Sequence, residues 1–293
     1  MSTCARNALF LMGLALVVVC LGRTAIAQEA PKKQYGSRIV LLSDLEAAND
    51  AEWKRVEEVF NLVNSLRPDL VLVAGDITHH GAADDYERIK KWIATIKAPV
   101  HLVPGRRDTL VAADEKEADL SIKERHALKI TRYKEYFGED TWSVEFGEYQ
   151  FVGFDSTRVT TPSWPNTSQE DHERLLSIFR KSSKPYKIFL THFPPDALGS
   201  VSAILTQAGV AGHLYGYTHR VRAGRDPLTG RFVFNCGSAT QPLHGVPSDL
   251  KKRDHGVMYF DVYGAVWVCF WKPIRGNPRP LGVFSLVEAP SKK

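Results

Sequence analysis

The sequence predicts a mixed α/β domain, and three observations carry that expectation. Apolar runs of strand length alternate with stretches of helical periodicity through the first half of the chain. Those runs close on polar or Gly/Pro steps, which punctuate a strand. Beyond residue 219 the helical spacing stops, and apolar runs follow one another across short turns. The first strand is the run 38–43, closing on Asp44. Residues 49–65 then place Trp53, Val56, Val59, Phe60 and Val63 on one helical face, and Pro68 ends the connection. The second strand, 70–75, closes on Asp76. Tyr86, Ile89, Trp92, Ile93 and Ile96 repeat the helical spacing before a third strand at 100–103, which closes at Pro104 and Gly105. Asp44, Asp76 and Asp108 fall 32 residues apart, the length of a βαβ unit.

The rest of the chain is read in the same way. Residues 109–141 interleave Lys and Glu as a solvated helical insertion would. The runs 142–146 and 149–154 form a hairpin. A loop at 157–166 holds Trp164, which either walls a groove or packs on a sheet edge. Ser168 to Asp171 resembles a capping box that opens a helix running to about Lys181. The runs ending at His192 and His219 complete the alternation. Asp226 to Gly230 is a turn between strands, and 256–261 faces 266–271 across another turn.

Residues 1–27 read as a signal peptide. Arg6 gives a weakly basic start, 8–20 are apolar, and Ala25, Ile26 and Ala27 form a small-residue cleavage step. The apolar stretch is short against the roughly 20 residues a span needs, so no stable membrane span is expected after cleavage. Residues 28–37 form an N-terminal segment, and 38–288 a single domain large enough for one core. The expected location is outside the cytoplasm, periplasmic or extracellular. In a secretory lumen Asn166, Thr167 and Ser168 would be a glycosylation acceptor. Losing the leader takes two arginines from the 38 basic side chains and none from the 33 acids, a balance of +3. That balance gives no case for a nucleic-acid partner, and the sequence names no protein partner. Cys236 and Cys269 then remain, in strand-like runs, either paired in an oxidising compartment or present as two buried thiols.

The chemistry concentrates where strands end. In an open α/β sheet, ligands bind beyond the carboxyl ends of the strands, so Asp44, Asp76, His192 and His219 should meet along one crest. Two carboxylates and two imidazoles brought together there make a divalent-metal pocket. The competing explanation for each aspartate is a helix N-cap.

The order Asp44 and Glu46, then Gly75 and Asp76, then Gly105, Arg106, Arg107 and Asp108, then Thr191 and His192, then Gly216, Tyr217, Thr218 and His219 resembles the calcineurin-like metallophosphoesterase superfamily. Its pattern is D-x-H, G-D, G-N-H followed by D or E, H, and G-H-x-H. The resemblance implies a two-sheet α/β/β/α sandwich with two metals that share a bridging Asp and clamp a phosphate. Carried over by position, Asp44 and His219 match first-metal ligands, Asp76 the bridging carboxylate, and His192 a second-metal ligand. Four positions depart from the pattern. Glu46 stands where a His is expected, a hard oxygen donor that favours Mn²⁺, Mg²⁺ or Ca²⁺ over Zn²⁺. Arg106 replaces the Asn ligand of the second metal and, having no lone pair, cannot ligate; its guanidinium is expected to fill the second cation's niche near Asp76. Arg107 replaces the His of that motif; it can hold a phosphoryl oxygen but cannot serve as a general acid. Asp108 is retained and is expected to pair with Arg107. Tyr217 replaces a His and is a weaker ligand than imidazole. His79 lies three residues after Asp76, where the purple acid phosphatase branch carries a Tyr ligand, so it joins the candidates; otherwise it is a loop histidine beside His80.

These residues imply at most one divalent metal (Mn, Fe, Mg or Zn) among Asp44, Glu46, Asp76, His79, His192 and His219. Arg106, Arg107 and Asp108 would then stand beside it in a catalytic role. Two readings follow. One is an exported phosphoric ester hydrolase acting on a phosphorylated small molecule, with arginine in place of the second metal. The other is a non-catalytic pseudoenzyme of the same fold that binds an anion, a glycan or a protein partner.

Overall fold

The computed structural model describes residues 36–158, 169–240 and 255–287, within a compact unit spanning Tyr35–Lys293. The expected leader, Trp164, the Asn166 acceptor and Ser168 of the expected capping box lie outside the described residues. The first half alternates as its periodicity predicts. It runs β1 (Ser37–Leu42), α1 (Asp50–Leu66), β2 (Leu70–Ala74), α2 (Ala83–Ile93) and β3 (Val100–Val103). The short helices α3 (Arg106–Thr109) and α4 (Glu115–Ala118) lead to α5 (Ile122–Phe137). A hairpin of β4 (Trp142–Phe146) and β5 (Tyr149–Gly153) comes next. It is followed by α6 (Gln169–Arg180), β6 (Tyr186–Leu190), α7 (Val201–Gln207) and β7 (Val210–Tyr215). The strands β8 (Val221–Arg225), β9 (Phe232–Cys236), β10 (Gly256–Tyr263), β11 (Val266–Pro273) and β12 (Arg279–Ser285) complete the order.

Two six-stranded mixed sheets result. One is ordered β12-β11-β10-β1-β2-β3, the other β4-β5-β6-β7-β9-β8. Within the first, β1, β2 and β3 are parallel and the C-terminal strands antiparallel. Within the second, β5, β6, β7 and β9 are parallel, with β4 and β8 antiparallel at the edges. Because side chains alternate along a strand, each central strand feeds two cores. In β1, Ile39 and Leu41 join the core between the sheets with Phe151, Ile188, Leu214, Phe234 and Trp267. Val40 and Leu42 face the other way and pack under Trp53, Val56, Phe60 and Tyr86 of α1 and α2. On the far side of the second sheet, Val152 and Phe189 meet Leu175, Phe179 and Leu205 of α6 and α7. The layers are therefore helix, sheet, sheet, helix. Among the described residues no helix is long and apolar enough to cross a membrane.

One local expectation changes, and one open alternative is decided. Residues 109–141 are not simply solvated, because α5 buries His126, Lys129 and Tyr133. Lys129 is fully buried and pairs with Glu117 at 2.8 Å, and Arg132 reaches the same carboxylate at 3.0 Å. Lys129 also donates to the His80 carbonyl, and Arg132 to that of Gly81 at 2.8 Å, so the insertion is anchored to the loop after β2. The Lys/Glu pattern could not separate these buried members from their solvated neighbours. Of the two alternatives for Cys236 and Cys269, the structure has free, buried thiols. Burial raises the pKa of both above the usual thiol range.

Candidate metal centre

Strand ends place the site. Asp44 follows β1, Asp76 follows β2, the Arg106–Asp108 turn follows β3, His192 follows β6, and Tyr217 and His219 follow β7. Neither aspartate caps a helix. Asn49 caps α1, accepting from the Glu52 amide, and Ala82 precedes α2 without a side-chain bond. Instead, the chain bends sharply at these residues. Asp44 (φ 57°), Glu46 (32°), Asp76 (50°), Tyr217 (67°) and His219 (53°) all adopt the left-handed region. Such conformations cost of order 1–3 kcal/mol each for residues other than glycine, and they persist only where surrounding contacts hold them. Here the Asp44 amide donates to the Gly75 carbonyl at 3.1 Å, that of Leu45 to Asp76 at 2.9 Å, and the Ser238 hydroxyl to the Asp44 carbonyl at 3.1 Å. Gly75 (φ 78°) has to be glycine, because a Cβ there would lie 2.8 Å from the His192 Cβ.

Two buried triads share Asp44: Asp44 with Glu46 and His219, and Asp44 with Asp76 and His192. His219 Nε2 lies 3.2 Å from Asp44 Oδ1 and 3.5 Å from Glu46 Oε1, and His192 Nε2 lies 3.2 Å from Asp76 Oδ2. Burial is the largest single influence on both imidazoles and pulls them down, but the carboxylates outweigh it. Bonded to and charged by Asp76, His192 is raised to about 9; bonded to Asp44 and Glu46, His219 is raised to about 11. His192 Nδ1 donates to the Ala74 carbonyl at 2.8 Å, which turns Nε2 toward the carboxylates. Asp44 Oδ1 and His192 Nε2 are both buried and both lack a well-aligned hydrogen bond. Close spacing without alignment is what donors converging on a cation show. The residues present therefore fit a divalent metal.

The arginines exchange places relative to expectation. Arg106, at the start of α3, is exposed. Arg107 turns inward: its amide donates to Asp76 Oδ1 at 2.7 Å, and its Nε lies 3.2 Å from Glu46 Oε2. The built-in cation is thus Arg107, and it faces Glu46. The expected Arg107–Asp108 pair does not form, because Asp108 points into the fold. Its carboxylate accepts from the amides of Ile77 at 3.0 Å, Thr78 at 3.0 Å and Gly105 at 2.9 Å, tying the turns after β2 and β3 together. Burial, and then the Asp76 charge, push Asp108 up to about 7 against those three donors. His79 is outside both triads. Its ring packs edge-on to His80, 4.1 Å between centroids, with Nδ1 3.4 Å from the Arg107 guanidinium. Burial, His80 and Arg107 all lower its pKa.

The supporting roles of Ser43, Thr191, His213 and Asn235 escaped the sequence reading, although Thr191 stood in the motif. The Ser43 hydroxyl lies 2.6 Å from Asp44 Oδ2. The Thr191 hydroxyl donates to the Phe193 carbonyl at 2.7 Å and lies 2.6 Å from Nε2 of buried His213, fixing the turn that carries His192. Asn235 Nδ2 bonds the Gly216 carbonyl at 2.6 Å and the Thr218 hydroxyl at 2.8 Å, holding the turn that carries Tyr217 and His219. A polar residue inside an apolar strand next to a motif was the available signal for His213 and Asn235.

A double-sheet sandwich with acids and imidazoles gathered at its carboxyl crest defines a phosphoesterase-type metal centre. The model for the calcineurin-like phosphoesterases matches residues 37–221, more than half of the chain, and the protein belongs to that family. It is 26% identical over 218 residues to a protein of Arcobacter nitrofigilis described as a probable glycerophosphodiester phosphodiesterase GpdQ, covering 65% of this chain and 70% of that one. In fold it is similar to the purple acid phosphatase PPD1 from yellow lupin seeds, with a TM-score of 0.61 and 12% identity, covering 85% of this chain and 53% of that one. It is also similar to GAP50, described as the anchor in the inner membrane complex of Plasmodium, with a TM-score of 0.59 and 13% identity, covering 87% and 90%. The chain thus spans about half of the lupin phosphatase and most of the other two.

Proposed function

We propose that this protein is a phosphoric diester hydrolase that works with one divalent cation, held by Asp44, Asp76 and His192, and with Arg107 in the role of a second. The observation that carries this reading is the pair of buried, unaligned donor atoms, Asp44 Oδ1 and His192 Nε2, which belong to the same triad. Asp44 Oδ1 is shared with the other triad, where His219 lies 3.2 Å from it, and there Arg107 sits on Glu46, so His192 Nε2 is the atom that sets the chosen triad apart. A bound cation supplies Lewis acidity toward a phosphoryl oxygen and a water of lowered pKa. The chain's own residues do the rest. Arg107, amide on Asp76 and guanidinium at the pocket edge, attracts the phosphoryl oxygens and stabilises charge that grows on them. Asp108 and Thr191 hold the turns that aim Asp76 and His192. The description of the Arcobacter relative supports diesters over monoesters. The leader-like sequence of residues 1–27 supports export, which N-terminal sequencing of the mature protein would test at Gln28.

The test is metal per chain, by elemental mass spectrometry on protein equilibrated with Mn²⁺, Fe²⁺ and Zn²⁺, beside turnover of bis(p-nitrophenyl) phosphate. One equivalent, lost together with turnover in Asp44→Asn, is the expected result. Two equivalents would sink the arginine-for-metal account.

The pseudoenzyme reading has one observation in its favour. Three carboxylates (Asp44, Glu46 and Asp76) face three basic groups (His192, His219 and Arg107), so the cluster can balance its own charge. Metal-free protein without turnover, but with anion affinity that depends on Arg107, is its signature.

A further inference from the structure

Resting on that anion site, we infer that Tyr217 is the platform of a second subsite, which takes a planar aromatic ring carried by the phosphoester. Tyr217 is a bulky residue at φ 67°, a backbone state that sterics disfavour, and it is not left there by slack. The buried Asn235 amide clamps both sides of it, on the Gly216 carbonyl and the Thr218 hydroxyl. A Cβ on Gly216 would strike the Ser43 hydroxyl, so this turn is seated against the base of the metal centre.

The ring is held as well. It packs on Phe193, 4.5 Å between centroids at 39°, and lies edge-on to His192 at 5.6 Å and 85°. Phe193 is buried, whereas Tyr217 is 43% exposed. An aromatic ring backed by another ring, rigid at its backbone and open to solvent, sits one ring away from a residue of the cation triad. A phosphoryl group drawn to Arg107 and to a cation on the triad that includes His192 would bring its organic substituent toward this position. Stacking on such a face is tolerant of ring identity and does not require the tyrosine hydroxyl. The shared chemistry is therefore a planar ring next to a phosphoryl group, from either a small aryl ester or a nucleotide.

The experiment is calorimetric titration of the full chain with two anions that share a headgroup and resist hydrolysis, phenylphosphonate and methylphosphonate. About tenfold tighter binding of phenylphosphonate is expected, with that ratio kept in Tyr217→Phe and lost in Tyr217→Leu. A purely structural role for Tyr217 would lower both affinities together and leave the ratio alone. Equal affinities in the native protein overturn the subsite while leaving the anion site intact. Binding of neither ligand overturns the anion site itself, and the subsite with it. Competition by adenosine 5′-monophosphate against ribose 5-phosphate separates the sources: a tenfold preference for the former assigns a nucleobase, equal competition a small aryl group.

Discussion

Loading the centre with Mn²⁺ should release one proton per cation near pH 7, and the proton should come from His192. In the metal-free protein the Asp76 carboxylate 3.2 Å away holds that imidazole protonated up to about pH 9. A cation on Asp44, Asp76 and His192 needs the Nε2 lone pair, so the proton must leave first. Two pH units below its pKa, that step costs about 2.7 kcal/mol, at 1.36 kcal/mol per unit. The apparent affinity should therefore rise about tenfold per pH unit between pH 6 and 8 and level off above 9. His219 is raised further, to about 11, and stays between Asp44 and Glu46, so it keeps its proton. Calorimetry in two buffers of different ionisation enthalpy counts the protons directly. Two released protons would place the cation between both imidazoles, and a pH-independent affinity with no proton release would refute the reasoning. The stability of the metal-free protein should move the opposite way. His192 is raised above its unfolded value, so its contribution of about 3 kcal/mol is complete below pH 6.5 and lost as pH climbs through 9.

Arg107→Leu removes the cation 3.2 Å from Glu46 and should tighten Mn²⁺ binding by at least about tenfold, since a guanidinium on the same carboxylate cluster repels a divalent cation. The same variant should bind methylphosphonate about tenfold more weakly. A fall in Mn²⁺ affinity would contradict the assignment of Arg107 as a competing cation. Asp108→Ala strands the amides of Ile77, Thr78 and Gly105 and should cost about 3 kcal/mol or more in urea unfolding; a loss below about 1 kcal/mol would show that water replaces the carboxylate. Burial lowers His213 to about 3, below its unfolded value, so its contribution is present above pH 6.5 and lost as pH falls toward 3, by about 1.4 kcal/mol per unit. In denaturation titrations His213→Asn should flatten that slope, and an unchanged slope would assign it to other groups.

Much of this protein can be read from sequence because two periodicities do not overlap. Helical spacing located α1 to within a residue and α2 to within about three, Ile96 falling beyond its end, and the 32-residue rhythm put Asp44 and Asp76 after successive parallel strands. The glycines before Asp76 and in the turn after β3 were part of the legible motif, and the structure shows why: Gly75 admits no Cβ beside His192. The insertion shows the limit of pattern. Lys129 and Lys123 belong to one charged helix, yet one is fully buried on Glu117 and the other exposed, because α5 meets α2 and α3 on one face only.

The arginine pair marks the boundary most sharply. The sequence determined that a guanidinium stands where a metal ligand was expected, since residue type alone removes the lone pair. Which arginine enters the pocket was decided by the turn after β3, where the backbone starts α3 and sends successive side chains about 100° apart around its axis, Arg106 to solvent and Arg107 to Glu46. Asp108, next in line, falls on the inner face and meets three amides rather than its neighbour. Adjacent letters in a sequence carry no direction. Direction comes from the dihedral angles that packing imposes, and so the ligands were named by the chain while their partners were chosen by the fold.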